Sequence, residues 1–294
     1  MAGKQFQQQK PLQTITLVGA GNLAHTLGAS LWPAGYTIDA VIAKDTRASM
    51  SRAKRLAKEI GSQARSFQDT PTGADVIWLC VPDAEISRVA QLLAKHDGDW
   101  TGKIVLHSSG ALTSDELLPL QRRGAVVASV HPMMTLVKHS RPSLTGVPFA
   151  MEGDPAAVRV ARRIVRDLGG QAFSIRKQDK VAYHAWGTFA SPLLTALLAT
   201  GERVAAAAGI SAMAARRRIL PMVTQTIANY ASLSAAGAFS GPIVRGDVEV
   251  VKRHLGALEA IPEAREVYVA LARSAMKYLP GKRRDTMRKA LNRS

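Results

Sequence analysis

A short apolar run, Thr14 to Val18, leads straight into Gly19-Ala20-Gly21-Asn22-Leu23-Ala24, and a helix-forming stretch from Asn22 to Trp32 follows. This G-x-G-x-x-A turn constrains the fold more than any other feature. Gly19 permits a tight turn at the end of a strand, Gly21 lets the backbone approach a diphosphate, and Ala24 lets the helix pack close to the strand. The first amides of the helix, those of Asn22 and Leu23 among them, have no partner within it and lie at the positive end of its dipole. The turn therefore suits phosphate groups. A glycine turn made only for packing is the competing reading.

The rest of the first half alternates. Strands are predicted at Thr37–Ala43, Val76–Val81, Lys103–Leu106 and Ala125–Val130, and helices at Ala48–Ile60, Ala84–Lys95 and Ser114–Arg122. Such alternation implies a parallel sheet covered by helices. Pro148–Met151 and Ala172–Ile175 are expected to add edge strands around a helix at Pro155–Leu168. From Gln178 the strand pattern stops. A long helix over Gln178–Ala208, kinked at Pro192, precedes helices at Ser211–Ala236, Asp247–Leu258 and Pro262–Tyr278. The reading is an α/β Rossmann-like domain over residues 12–176 and an all-helical domain over 177–285, with a basic tail from Lys282.

The second strand is expected to end at Ala43, before Lys44-Asp45-Thr46-Arg47. An NAD site places a carboxylate there for the ribose 2′-OH. Lys44, Thr46 and Arg47 instead suit the 2′-phosphate of NADP, with Arg47 offering a bidentate fork and Arg52 adding charge. Asp45 would take the ribose, and favour NAD, if the strand ran two residues further. Val81-Pro82-Asp83, after the next strand, is expected to flank the cofactor; Asp83 equally suits a helix N-cap.

Candidate chemistry lies past the later strands. His107, Ser108 and Ser109 are placed to face nicotinamide and substrate, with Gly110 allowing close approach; a polar turn bonded to its own backbone is the plainer account. His131, in His131-Pro132-Met133, titrates near neutral pH and suits an acid–base role. Lys180 and His184 share a helix face at i, i+4 and are candidate proton donors. Arg245, in the turn-rich Gly241–Asp247 segment, suits a substrate carboxylate or phosphate. The alternative is a clamp with Asp247, the residue expected to cap the next helix.

Hydrophobic residues make up 47% of the 294-residue chain, enough for two cores. The single cysteine, Cys80, excludes an internal disulfide and a cysteine metal site. The polar start, Met1 to Gln13, reads as a frayed arm without a secretory signal, and Phe189–Thr200 is too short for a bilayer span. These features fit a cytoplasmic protein. The net charge of +17 raises nucleic-acid binding, but aromatics are only 5% and no reading motif stands out. The expectation is no nucleic acid and no membrane, with some of the charge serving phosphate groups.

Gly19–Ala24, Val81-Pro82-Asp83, His107–Gly110, His131-Pro132-Met133, Tyr183-His184-Ala185 and Gly241–Asp247 with His254-Leu255 occur in an order that resembles the oxidoreductases joining a Rossmann-like domain to domain of unknown function 2520. The resemblance implies a relative of pyrroline-5-carboxylate reductase and the β-hydroxyacid dehydrogenases. It implies a C-terminal domain like that of 6-phosphogluconate dehydrogenase, and dimerisation through that domain. His131-Pro132-Met133 also resembles a prephenate dehydrogenase motif. Where such proteins tend to have Ala-Ser-Asn, this chain has Ala190-Ser191-Pro192, so an amide that could orient substrate is missing. The functions carried forward are hydride transfer between NADP(H) and a small, anionic carbonyl, imine or hydroxy acid; an NAD-dependent prephenate-like dehydrogenase; and a nucleotide-responsive binding protein without catalysis.

Overall fold

The computed structural model describes residues 13–69, 73–138 and 140–292. The expected frayed arm lies, but for Gln13, outside them. The chain divides into two compact units, one up to Thr188 and one from Phe189.

The first unit is built on eight strands: β1 (Ile15–Val18), β2 (Ile38–Ala43), β3 (Gln63–Ser66), β4 (Val76–Leu79), β5 (Ile104–His107), β6 (Val126–Pro132), β7 (Pro148–Gly153) and β8 (Gln171–Ser174). They form one sheet in the order β3-β2-β1-β4-β5-β6-β7-β8. The helices between them are α1 (Asn22–Leu31), α2 (Arg47–Glu59), α3 (Asp83–Ala94), α4 (Leu118–Gln121) and α5 (Pro155–Asp167). The first six strands have the doubly wound order, with the direction of winding reversing between β1 and β4.

Strand sequences show why both faces are covered. Ile15, Leu17, Val76, Trp78, Ile104, Leu106, Ala128 and Val130 point to one side, where Leu27 of α1, Leu56 of α2 and Ile164 of α5 meet them. Their neighbours Val18, Ile77, Leu79, Val105 and Val127 point to the other, against Ile86, Val89 and Leu93 of α3 and Leu120 of α4. A period of two with both parities apolar is what a sheet buried on both faces requires.

Three differences from the sequence reading concern this unit. β3 was not foreseen: Gln-Ala-Arg-Ser carries no apolar run, because it is an edge strand paired only with β2. The sheet is not wholly parallel, since β7 runs antiparallel to β6, with His131 opposite Ala150 and Pro132 opposite Phe149. The helix expected over Ser114–Arg122 is a 3-10 turn at Ser114–Leu117 followed by the single turn of α4.

After β8, α6 (Lys180–Ala190) begins. The single kinked helix expected over Gln178–Ala208 is instead two, because Ser191 leaves helical geometry (φ −125°, ψ −79°) and Pro192 takes the first position of α7 (Pro192–Ala207), where its missing N–H costs nothing.

The second unit holds α7, α8 (Ala212–Ala238), α9 (Pro242–Arg245), α10 (Val248–Ala257), α11 (Pro262–Tyr278) and α12 (Arg284–Asn292). Its core joins Val251 and Leu255 of α10, Ala272 and Met276 of α11, and Met287 and Leu291 of α12. The tail expected from Lys282 is thus a packed amphipathic helix through Asn292; the spacing of Met287, Ala290 and Leu291 (i, i+3, i+4) was the legible signal. Among the described residues no helix is long and apolar enough to cross a membrane.

Candidate active site: a dinucleotide cavity and a histidine cluster

A cavity of about 1000 Å³ opens where β1 and β4 end, the place an open α/β sheet offers a ligand. Gly19 (φ +110°) forms its floor, and a Cβ there would stand 2.5 Å from the carbonyl oxygen of Cys80, so no other residue fits the turn. Gly21 differs: the nearest atom to an added Cβ is 4.0 Å away. No neighbour within the protein demands a glycine there, whereas a closely approaching ligand would. Gly21 also occupies the N-cap position of α1 without any side-chain cap, and the first turn carries no acidic residue. The first amides of α1, starting at Asn22 in the lining, have no partner within the helix and no side-chain cap, the arrangement that suits a phosphate group. Ala24 is fully buried against the sheet.

Five cations line this cavity, Lys44, Arg52, Arg55, Lys138 and Arg141, against one carboxylate, Glu85. Val81 and Pro82 line it as expected. Asn22 does too, and its amide donates to the Leu136 carbonyl (3.3 Å). β2 ends at Ala43, which leaves Asp45 exposed, two residues beyond the strand and outside the cavity lining.

Three residues read above as cofactor contacts lie outside this lining. Thr46 caps α2, accepting from the Ser49 amide (3.3 Å), and does not line the cavity. Arg47, the first residue of α2, is exposed and also outside the lining. Asp83 is neither a cavity residue nor a side-chain cap; its carboxylate accepts from the Ser109 hydroxyl (2.7 Å). Lys44 is in place but bridges to Glu85 at 2.9 Å. The cavity face of α2 is Ser49, Arg52 and Arg55, spaced by three from the capping Thr46. Arg55 and the two cations of the β6–β7 connection, Lys138 and Arg141, escaped the sequence reading. Arg141 pairs with Glu59 (2.9 Å). His25, also in the lining, stands 3.7 Å from the same carboxylate, and burial holds its pKa below the ordinary value.

Beyond β5 and β6 lies a second group. His107 is fully buried. Its Nδ1 accepts from the Ser109 amide (3.1 Å), which leaves Nε2 as donor to the Thr113 carbonyl (3.0 Å). Burial depresses its pKa to about 4. Ser108 accepts from the Trp78 indole (2.8 Å). The Ser109 hydroxyl, besides donating to Asp83, accepts from the amides of Ala111 and Leu112. His107, Ser108 and Ser109, read above as candidates to face nicotinamide and substrate, thus engage one another, Trp78, Asp83 and the backbone, the arrangement of the plainer account.

Three residues of α6 reach this loop. Tyr183 shares a hydrogen bond with Nδ1 of His131 (2.8 Å). The His131 and His184 rings meet edge to face at 6.0 Å, and both abut Gly110: an added Cβ would lie 2.4 Å from Cδ2 of His184 and 2.9 Å from Nε2 of His131. Burial first, then the charge of Lys180, lowers the His131 pKa to about 4, so the ring is neutral at pH 7. Burial raises the Tyr183 phenol to about 12. Lys180 is itself 0% exposed and donates to the Ser109 carbonyl (3.0 Å) and the Ser129 hydroxyl (2.7 Å). Full burial sets Lys180, a candidate proton donor in the sequence, apart from the exposed His184.

In the second unit Arg245 pairs with Asp247 (2.8 Å) and is otherwise open to solvent. This is the clamp weighed as the alternative, and it occupies the carboxylate expected to cap α10. His254 pairs with Tyr268 (3.1 Å).

Strand order, glycine turn and uncapped α1 define a Rossmann-like protein, and the Rossmann-like domain family matches residues 3–132. A second family model, described as domain of unknown function DUF2520, matches residues 147–275. Its match starts at β7, where the sheet reverses, so it takes in the last two strands as well as most of the helices. Among solved structures, a Bacteroides fragilis protein provisionally assigned as an NADP oxidoreductase superposes with a TM-score of 0.75 at 20% identity, covering 90% of this chain and 97% of its own. A Thermotoga maritima protein gives 0.70 at 23% identity, covering 95% and 98%. The reductive aminase of Aspergillus terreus, in complex with NADPH and ethyl-5-oxohexanoate, gives 0.67 at 16% identity, covering 91% and 94%. At these identities the likeness is one of fold. A comparison with curated proteins gave no match.

Proposed function

We propose that this protein is an NADP(H)-dependent oxidoreductase acting on a small imine or carbonyl compound. The observation that carries the reading is the pairing of an uncapped glycine turn with five cations around one cavity. Two phosphates of the diphosphate bridge account for the turn. A third phosphate, the one that separates NADP from NAD, accounts for Arg52 and Arg55 on the cavity face of α2, with Asp45 lying outside the lining. The bound dinucleotide would supply a hydride. The chain's own groups supply position and the proton: His184 and His131 stand at Gly110 beyond the β5 end, the former exposed and the latter held by Tyr183. His184 is the proton donor of this proposal. The neutral His131 orients the substrate nitrogen or oxygen through Nε2.

A homodimer is part of the same reading. Leu193, Leu197, Leu220, Ile227 and Tyr230 of α7 and α8 are each 40% exposed or more, an apolar surface of the kind that marks protein contacts.

The test is a fluorescence titration of the full chain with NADPH and NADH, repeated with Arg52→Ala/Arg55→Ala. The proposal expects NADPH to bind more tightly than NADH and the double variant to abolish that preference. Equal affinity for both coenzymes, unchanged by the substitutions, defeats the NADP assignment; no affinity for either defeats the enzyme reading. A panel of cyclic imines and ketone–amine pairs then tests turnover.

A further inference from the structure

One face of α6 makes three contacts within five residues. Lys180 grips the carbonyl of Ser109, the peptide that leads into Gly110. Tyr183, at i+3, bonds Nδ1 of His131. His184, at i+4, lies against the Gly110 Cα. Positions spaced this way share a helix face, so the ammonium, the phenol and the imidazole act on the same strand ends as one rigid set.

We propose that Lys180 is a positioning residue: a buried strut that ties the loop after β5 to β6 and thereby fixes where the His131 and His184 rings stand, without touching the substrate. The proposal deepens the functional reading above, and its test needs neither coenzyme nor turnover, so either can fail alone. The geometry is closed on itself. Lys180 spends two of its three N–H donors on Ser109 and Ser129, and the Ser129 hydroxyl donates onward to the same Ser109 carbonyl (3.2 Å). Glu152 on β7, whose carboxylate accepts from the Ser114 amide and hydroxyl, and Asp83 on α3 are the anions that favour the ammonium. Burial opposes them and brings its pKa down to about 8. His131 faces this charge together with His184 of α6, Asp83, and His107 at the end of β5. A fixed cation at that place keeps the His131 ring neutral and its hydrogen bond to Tyr183 intact. Ser109 sits immediately before the glycine that both rings touch, so a shift of its peptide moves the whole arrangement.

Two measurements test this. The first is reductive methylation of the native wild-type chain at pH 9, read by peptide mass spectrometry. Lys180 is expected to remain unmodified while the exposed Lys54 and Lys58 react, and to react fully after unfolding. Native modification of Lys180 at the rate of those two overturns the proposal, because a reachable amine is a direct proton donor and not a strut. The second is Lys180→Met in the full chain, followed by histidine side-chain NMR across pH 3–8. The His131 and His184 ring signals should both move, and the His131 titration midpoint should rise above about 4. Unchanged rings and an unchanged midpoint overturn the proposal. Should Lys180→Met fail to fold, Ser129→Ala removes one of the two grips and is read in the same way, with a smaller upward shift expected and no shift counting against the strut.

Discussion

Gly110→Ala isolates the contact on which the candidate site turns. The new methyl would sit 2.4 Å from Cδ2 of His184, 2.9 Å from Nε2 of His131 and 3.1 Å from Cε1 of His131. Ordinary contact between such atoms needs about 3.5 Å or more, so one or both rings have to move by roughly 1 Å. The backbone at Gly110 does not require positive φ, which leaves ring displacement as the main cost. His184 is exposed and free to swing away; His131 is half-buried and held by Tyr183, so it carries the strain. Overpacking of this kind costs about 1–3 kcal/mol. For a unit of this size that is a fall in Tm of roughly 2–12 °C. A 1 Å misplacement of reacting groups costs about a hundredfold in rate, so kcat/KM on whichever imine or carbonyl is turned over should fall by that order. The glycine turn at Gly19 is untouched, and NADPH affinity should stay within about twofold of wild type. Scanning fluorimetry, histidine NMR and the coenzyme titration read these three quantities separately. The reasoning is refuted if the alanine variant keeps wild-type ring signals and turnover, or if it loses coenzyme affinity as steeply as rate.

Gly19→Ala meets the Cys80 carbonyl at 2.5 Å in a conformation that disfavours any side chain; a loss of at least about 1–3 kcal/mol for the strained backbone alone should appear in urea unfolding, together with loss of coenzyme binding. The Arg52→Ala/Arg55→Ala double variant should weaken NADPH by about 10–100-fold, from roughly 1–3 kcal/mol of charge-assisted bonding at exposed arginines, with NADH affinity unchanged in the same titration. Acid should destabilise the fold through His107 and His131. Both folded pKa values, about 4, lie below the ordinary 6.5, so the unfolded chain binds more protons between those limits. Stability then rises with pH across that window and is lost as pH falls through it, by up to about 3 kcal/mol for each ring. Urea midpoints measured from pH 7 to pH 4.5 check this, and a His107→Asn variant that keeps the full acid dependence would count against the assignment to that ring.

The glycine turn and the doubly apolar strands were legible in sequence because each is a local pattern that the fold uses in place. Arg52 was named, but Arg55 was not, because the tip of β2 drew attention to Arg47 while α2 turns that residue outward and brings Arg52 and Arg55 round to the cavity. A helical face counted from Thr46 as the cap would have found Arg55 beside Arg52. Arg141 and Lys138 were beyond reach, since nothing local says that the stretch after β6 stays beside the cavity. For His107, Ser108 and Ser109 the sequence left a functional loop and a self-bonded polar turn side by side, because the partners Asp83 and Trp78 lie on other elements and no local pattern points to them. α12 was missed because its basic residues outweigh its three buried ones in composition, although their spacing is helical.

The one reversal in the sheet has a consequence for specificity. A sixth strand followed by a helical crossover would carry the chain down to the opposite rim before the seventh began. β7 instead turns back beside β6, and the connection between them contributes Lys138, Ser140 and Arg141 to the cavity lining. The cavity lining thus draws on stretches of chain far apart in sequence, α2 and the β6–β7 connection among them, and under the proposed function changes in the later one retune coenzyme choice without disturbing the glycine loop.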